Sequence, residues 1–481
     1  MLLTNCATSS LAPFTPSEDQ PWDRTRVMHF YRRAGFGASP AEIEQALADG
    51  PRRTVSRVLN DAGTQAPPPA PEWAEWDYAA FQAAGLDAFE AYTDWGKAFM
   101  MRALEGGVRE KLELFWTGHF VTRFEDYNCP SYYYRYMADI GEYAFTDFKA
   151  LVVEMTRTPA MLFFLNGFQN TRQNPNENYA RELFELFTLG VNNGYTQADI
   201  VEASRALTGL NGWTSYCGPV NFVNWGWDAG VKTVFGRSGN YNYLQLIDIL
   251  FEERAPLIAE FICRKLYCYY VNPQVDESVV QGLAQTFLDN NFMIYPVLRQ
   301  LFLSEHFYDA THIGACIKNP LELQFTWMRE GGFGRFDNQE NWGFWAMVNM
   351  GQFIGQPPDV AGWPGDRAWI DSNRLALRWE FMDGYSWAVY NNRNSAYVEL
   401  ARQLTDNSDD VNVVGRALVD YFVAGSHLSE EAYTLAVDAF KWEVPDNYFT
   451  NGTWSLDYPS TPWQCVVLMR HIGRLPEFQL C

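Results

Sequence analysis

The chain is predicted to be all-α, and three observations carry that prediction. Apolar residues recur every three or four positions in segment after segment, alternating strand patterns are scarce, and helix-start signals stand where the periodic runs begin. The most explicit start is "SPAEIEQALADG", with Ser39 as N-cap, Pro40 at the first helical position, Glu42 three residues after the cap and Gly50 as the stop. "NNGYTQADIVEASRALTGLNGW" begins in the same way, Thr196 capping with Asp199 three residues on. Its upstream residues Asn192, Asn193 and Gly194 lack the evenly spaced acidic oxygens of a calcium loop. "ESVVQGLAQTFLDNN" and "YPVLRQLFLSEHF" continue the helical period, and "EEAYTLAVDAFKW" and "TPWQCVVLMRHIGRL" carry it toward the C-terminus.

The clearest interruption is "AGTQAPPPAPEW" (Ala62 to Trp73), whose prolines favour extended polyproline geometry. It suggests N-terminal helices over 1–61, a linker at 62–75, a main helical domain over 76–390 and a C-terminal helical segment over 391–481 packed on it. Two irregular stretches, Asn211 to Asn242 and Gly355 to Ser372, are rich in Gly, Trp and Asp. Both are long for connections, and long ordered loops often carry function.

Of the 481 residues, 47% are hydrophobic and 20% charged, the composition of a folded globular chain. Lysine plus arginine (36) minus aspartate plus glutamate (58) gives −22, a field that repels phosphate backbones and argues against a nucleic-acid partner. No apolar run approaches the roughly 18–20 residues of a membrane span. The start "MLLTNCATSSLAPFTPSEDQPWDR" has no basic region followed by a long apolar stretch, so no clear signal peptide is read and the compartment stays open. The eight cysteines are dispersed without a C-x-x-C pair and read as buried free thiols. Aromatics reach 16%, which means a large aromatic core or, as the alternative, an aromatic groove for sugars.

"NPNENYARELFELFTLG" (Asn174 to Gly190) poses the functional question. With Asn174 as N-cap and Pro175 at the first helical position, Glu177 falls third, and Gly190 ends the helix. At about 100° per residue, Glu177, Arg181, Glu185 and Thr188 then share one face. On periodicity alone this is a solvated face on which Arg181 pairs with the glutamates four residues either side.

Several long motifs, in order, change that reading. They are "HFYRRAGFGASPAEIEQAL", "KLELFWTGHF", "NENYARELFELFTLG" with "GYTQADIVEASRALTG", "WDAGVKTVFG", "FICRKLYCYYVNP", "VLRQLFLSEHFYD", "QPPDVAGWPGDRAWI" and the ending "PEFQL". In these the chain resembles the bacterial domain of unknown function 1800 family over most of its length. The resemblance implies an all-helical protein of unassigned activity, often encoded beside a sulfatase-like protein (domain of unknown function 1501) and therefore a candidate partner of it. It also implies export for many members. The family's polar motifs fall on Glu177, Asn178, Arg181 and Glu182, on His119, and on Asp228, Gly230 and Lys232. Thr117, Phe187 and Trp227 stand where members often carry histidine. Such imidazoles with a helical glutamate would suit a divalent metal, but here only His119 is kept, so no metal ligand set is assigned.

The catalytic candidates are therefore His119, Glu177, Arg181, Glu182, Asp228 and Lys232. His119 would act as general base, a glutamate as its orienter or acid partner, and Arg181 with Lys232 as anchors for an anionic group. The binding candidates are Asn178, Trp227, Asp359, Trp363, Asp366 and Trp369. Against these stand plainer readings. His119 could be wedged among Phe115, Trp116 and Phe120 and satisfied by a backbone carbonyl, Arg32 and Arg33 could tie helices through buried ion pairs, and the Trp-rich loop could be locked by its own packing. Three functions follow: an accessory or assembly partner of the sulfatase-like protein, a hydrolase using the His/Glu/Arg/Asp set, with or without a metal, or a carbohydrate-binding protein using the Trp-rich loops.

Overall fold

Helices dominate the computed structural model, which describes residues 10–213, 215–423 and 428–481. Strand is confined there to two short antiparallel ribbons, Gly212–Trp213 with Val220–Asn221 and Lys232–Val234 with Arg237–Gly239. Both lie in the irregular stretch after residue 210. Buried side chains from Phe14 to Phe478 form one continuous apolar cluster with large aromatics such as Trp116, Trp327 and Tyr270 at its centre. The aromatic excess is thus largely core.

Local signals and observed elements agree where capping chemistry is explicit. Ser39 and Glu42 close a capping box, as do Thr196 and Asp199. Gly50 is the stop that the sequence marks, although helix resumes directly after it. It takes φ 74°, breaks the helical path, and a second helical stretch starts at once with Pro51, so the pair runs from Pro40 to Thr64 across a kink. The proline-rich stretch that follows is pinned to the body: Arg109 donates to the carbonyls of Ala62 and Gln65, and Ser131 to those of Trp73 and Trp76.

The segment after Pro175 departs further from its sequence reading. Asn174 pairs with Thr171 in an isolated bridge and does not cap a helix. Asn176 donates its amide to the Asn170 side chain and accepts from the Asn178 amide, which delays the helix to Asn178–Glu182. The chain then widens into a π-helix, Leu183–Thr188. Thr188 consequently leaves the polar face: its hydroxyl donates to the Leu183 carbonyl five residues back, and the side chain is fully buried. Periodicity at the α-helical angle does not anticipate a wider turn.

The cysteines also differ from expectation. Cys129 and Cys217, 88 residues apart, form a disulfide that ties the Pro130–Tyr143 helix to the irregular insertion. Cys263, Cys268, Cys316, Cys465 and Cys481 are free, and Cys6 lies outside the described residues.

Buried charges knit the N-terminal helix to the rest. Arg32 makes a two-pronged pair with Glu330, both contacts at 2.7 Å, and Lys111, paired with Glu322, donates to the carbonyls of Arg32 and Gly35. Arg33 does something else. It donates to the carbonyls of Tyr269 and Tyr270, at the end of the Ala255–Tyr270 helix, and to Cys481 Sγ. A cation there satisfies orphan carbonyls and complements the negative helix end.

Candidate functional site

His119 is the last residue of the Val108–His119 helix and is only 2% exposed. Phe115, Trp116 and Phe120 surround its ring, with centroids 6.2, 5.5 and 4.5 Å away. Its Nε2 lies 3.0 Å from the Phe187 carbonyl, in the π-helix. A carbonyl only accepts, so Nε2 carries the proton and Nδ1 presents a lone pair. That lone pair faces Lys265 Nζ at 2.9 Å, and Nζ also reaches the Leu186 carbonyl at 3.5 Å. His119 and Lys265 therefore take up consecutive carbonyls at the end of the π-helix.

Burial, with the Lys265 ammonium alongside, holds the imidazole well below its ordinary pKa, so it stays neutral. Burial also lowers Lys265 to about 8. No carboxylate forms an ion pair with it among the described residues, and its Nζ lies over the Phe261 ring, 5.1 Å from the centroid. Lys265 acts on the ring, whereas its own shift comes from burial: a neutral ring accepts from the amine, and an amine without a carboxylate partner is easily discharged.

Both residues line a cavity of about 480 Å³, the size of a small-molecule site. Phe115, Tyr269, Trp363 and Trp369 supply aromatic wall, while Glu322 and Asp366 supply carboxylates. The Trp-rich loop closes one side of this space. It is seated by a backbone-to-backbone approach: Gly362 takes φ 88°, and a Cβ there would collide with the Gly118 carbonyl. Asp366 takes φ 42°, an uncommon left-handed conformation for a residue with a side chain. Trp363 Nε1 is buried without a partner.

The candidates read from the sequence divide among three places. His119, Trp363, Asp366 and Trp369 share the cavity. Asp359 lies outside it, its side chain accepting from the Ala361 amide to shape the loop's turn. Glu177, Arg181 and Glu182 neither line the cavity nor bond to His119. Arg181, with 36% of its side chain exposed, pairs with Glu177 at 3.0 Å and Glu185 at 3.5 Å and also contacts Gln197. Burial, reinforced by Glu185, raises the half-buried Glu182 carboxyl, with Arg181 opposing. Asn178 donates to the Leu165 carbonyl.

Asp228 and Lys232 form the third group. Arg205, absent from the sequence candidates, grips Asp228 through Nε at 2.7 Å. Burial works to raise the Asp228 carboxyl, but Arg205 and the Gly230 amide outweigh it and hold the pKa low. Lys232 donates to the carbonyls of Asp228 and Gly230 and lies over the Trp227 ring, 5.0 Å from its centroid. A Cβ on Gly230 would press on the Arg205 guanidinium and the Asp228 carboxylate and push them aside. These contacts hold the insertion's turn in shape. Among the described residues no group of three or more His, Cys, Asp or Glu side chains is arranged to hold a metal.

Lys265 is the residue that sequence reasoning missed. Its trace was a single lysine in "FICRKLYCYY", on a helix whose neighbours Ile262, Cys263 and Leu266 are all buried.

Residues 29–480 match a family model described as a protein of unknown function, DUF1800. No curated protein and no solved structure matches.

Proposed function

The chain belongs to the DUF1800 family, which passes on no activity, and from the cavity itself we propose that the protein is an enzyme acting on a small molecule bound beneath the Trp-rich loop. The observation that carries this reading is the 2.9 Å contact between Lys265 Nζ and His119 Nδ1 on the wall of a cavity large enough for a metabolite. A neutral imidazole of fixed tautomer beside an amine without a charged partner is a proton-transfer pair. Trp363 and Trp369 offer flat apolar faces, and Asp366 an acceptor for hydroxyl or amino groups. This arrangement also supports the carbohydrate reading, relocated from an open surface to a half-open cleft.

The reading is tested by screening a metabolite library for thermal stabilisation of the wild-type protein and of Trp363→Ala, His119→Gln and Lys265→Met. Compounds that stabilise the wild type and lose that effect in Trp363→Ala are expected. A library with no compound sensitive to any of the three substitutions would overturn it.

Assembly with a sulfatase-like partner is the second reading, favoured by one feature of the insertion. Trp225 is 72% and Val231 67% exposed, two apolar side chains of the insertion available to a partner. Retention of the partner in pulldowns, and its loss with Trp225→Ser and Val231→Ser, is the matching test.

A further inference from the structure

The cations lining the cavity differ in what already holds them. Arg33 is taken up by two helix-terminal carbonyls and the Cys481 thiol. Arg264 is held by Glu260 and Glu277. Lys265 contacts an imidazole lone pair and a more distant carbonyl, both uncharged. An ammonium in that position lacks a counter-ion, whereas a neutral amine loses little there. We propose that Lys265 is a nucleophilic amine that condenses with the carbonyl group of a small aldehyde or ketone bound in the cavity, forming an imine with His119 as the proton carrier. The proposal rests on the cavity being the functional site.

The geometry supplies each part of the step. The Lys265 lone pair attacks the carbonyl carbon, so a C–N bond forms as the C–O π bond breaks. His119 Nδ1 lies against the amine and takes the proton that nitrogen sheds. It returns that proton to the oxygen, giving a neutral carbinolamine. In the second half the nitrogen lone pair forms the C=N bond, the oxygen departs, and His119 again moves the nitrogen's proton to it. Both amine hydrogens leave with the oxygen as water, and nothing is oxidised or reduced.

His119 is suited to this exchange because the Phe187 carbonyl fixes its tautomer and orientation. Desolvation keeps it neutral at rest and keeps part of Lys265 unprotonated near pH 8. The aromatic faces of Trp363, Trp369 and Tyr269 would stack a flat carbonyl compound or the apolar face of a sugar-like one.

The test uses the full chain with 4-hydroxybenzaldehyde and sodium cyanoborohydride near pH 8, followed by intact mass and peptide mapping. The corresponding alcohol, 4-hydroxybenzyl alcohol, is followed separately by ligand-observed NMR. A single reduced adduct on Lys265, formed about tenfold or more faster than on other lysines because its pKa is lower, is the expected result. His119→Gln should slow the trapping by a larger factor than it weakens alcohol binding, the excess being the loss of proton transfer. If the alcohol binds but the aldehyde leaves no adduct on Lys265, or marks lysines indiscriminately, the imine is overturned while the cavity reading stands. If neither compound binds and no lysine is preferred, both fail.

Discussion

Lys265 Nζ and His119 Nδ1 meet at 2.9 Å, on a helix end and a neighbouring helix separated by 146 positions in the chain. The contact is possible because the Phe187 carbonyl occupies the other ring nitrogen, so the lone pair has one direction left to face. It couples the stability of the protein to the charge of one amine.

That coupling has a defined sign. Lys265 titrates near 8 in the folded chain, against an ordinary value of 10.5. Between those values the unfolded chain binds more protons, so this group's contribution to stability rises with pH there. Below about 8 the penalty of a partly buried ammonium is fully present. Lys265→Met should therefore be more stable than the wild type near neutrality, with the advantage vanishing toward pH about 10.5. Urea midpoints of both proteins across that range check it. A constant difference would count against a desolvated amine.

Gly118 and Gly362 touch backbone to backbone, yet their substitution should have opposite consequences. A Cβ on Gly118 meets Trp363 at 3.8 Å, an ordinary contact, so Gly118→Ala should fold and keep the loop closed. Gly362→Ala adds an atom into the Gly118 carbonyl and forces a side chain onto φ 88°. Limited proteolysis within 355–372 should be faster in that variant alone.

Arg32 and Glu330 are both almost completely buried and paired at 2.7 Å. Arg32→Met leaves an uncompensated carboxylate and should cost about 3–5 kcal/mol in denaturant unfolding. The double substitution with Glu330→Met should recover most of that loss, because the pair's net worth against apolar packing is small.

Reduction of Cys129–Cys217 releases a crosslink spanning 88 residues. A loss of roughly 2–4 kcal/mol is expected, with a lowered melting temperature in dithiothreitol and the same lowering in Cys217→Ser without it. A wild-type melting temperature unchanged by reductant would show that the crosslink adds no stability.

Arg181→Ala should change stability by less than about 1 kcal/mol, since both partners of this ion pair are more than a third exposed. It should also leave every cavity ligand's affinity unaltered, unlike Trp363→Ala. Matched calorimetric titrations of the two variants separate the roles.

The sequence by itself determined the helical architecture, because capping and periodicity act over a few residues. Ser39 with Glu42 and Thr196 with Asp199 were readable for that reason. It also marked the Trp-rich loop, through its length and its glycines. Tertiary structure decided which charges meet. Glu177, Arg181 and Glu185 pair across a partly exposed surface, although their motif suggested a centre around His119. The π-turn at Leu183–Thr188, invisible to an α-helical period, sends its last carbonyls to His119 and Lys265. A lysine's chemistry depends on what solvates it, and no spacing rule within "FICRKLYCYY" encodes a wall contributed by residues 115–119 and 361–369. Only packing brings those segments within reach of one amine.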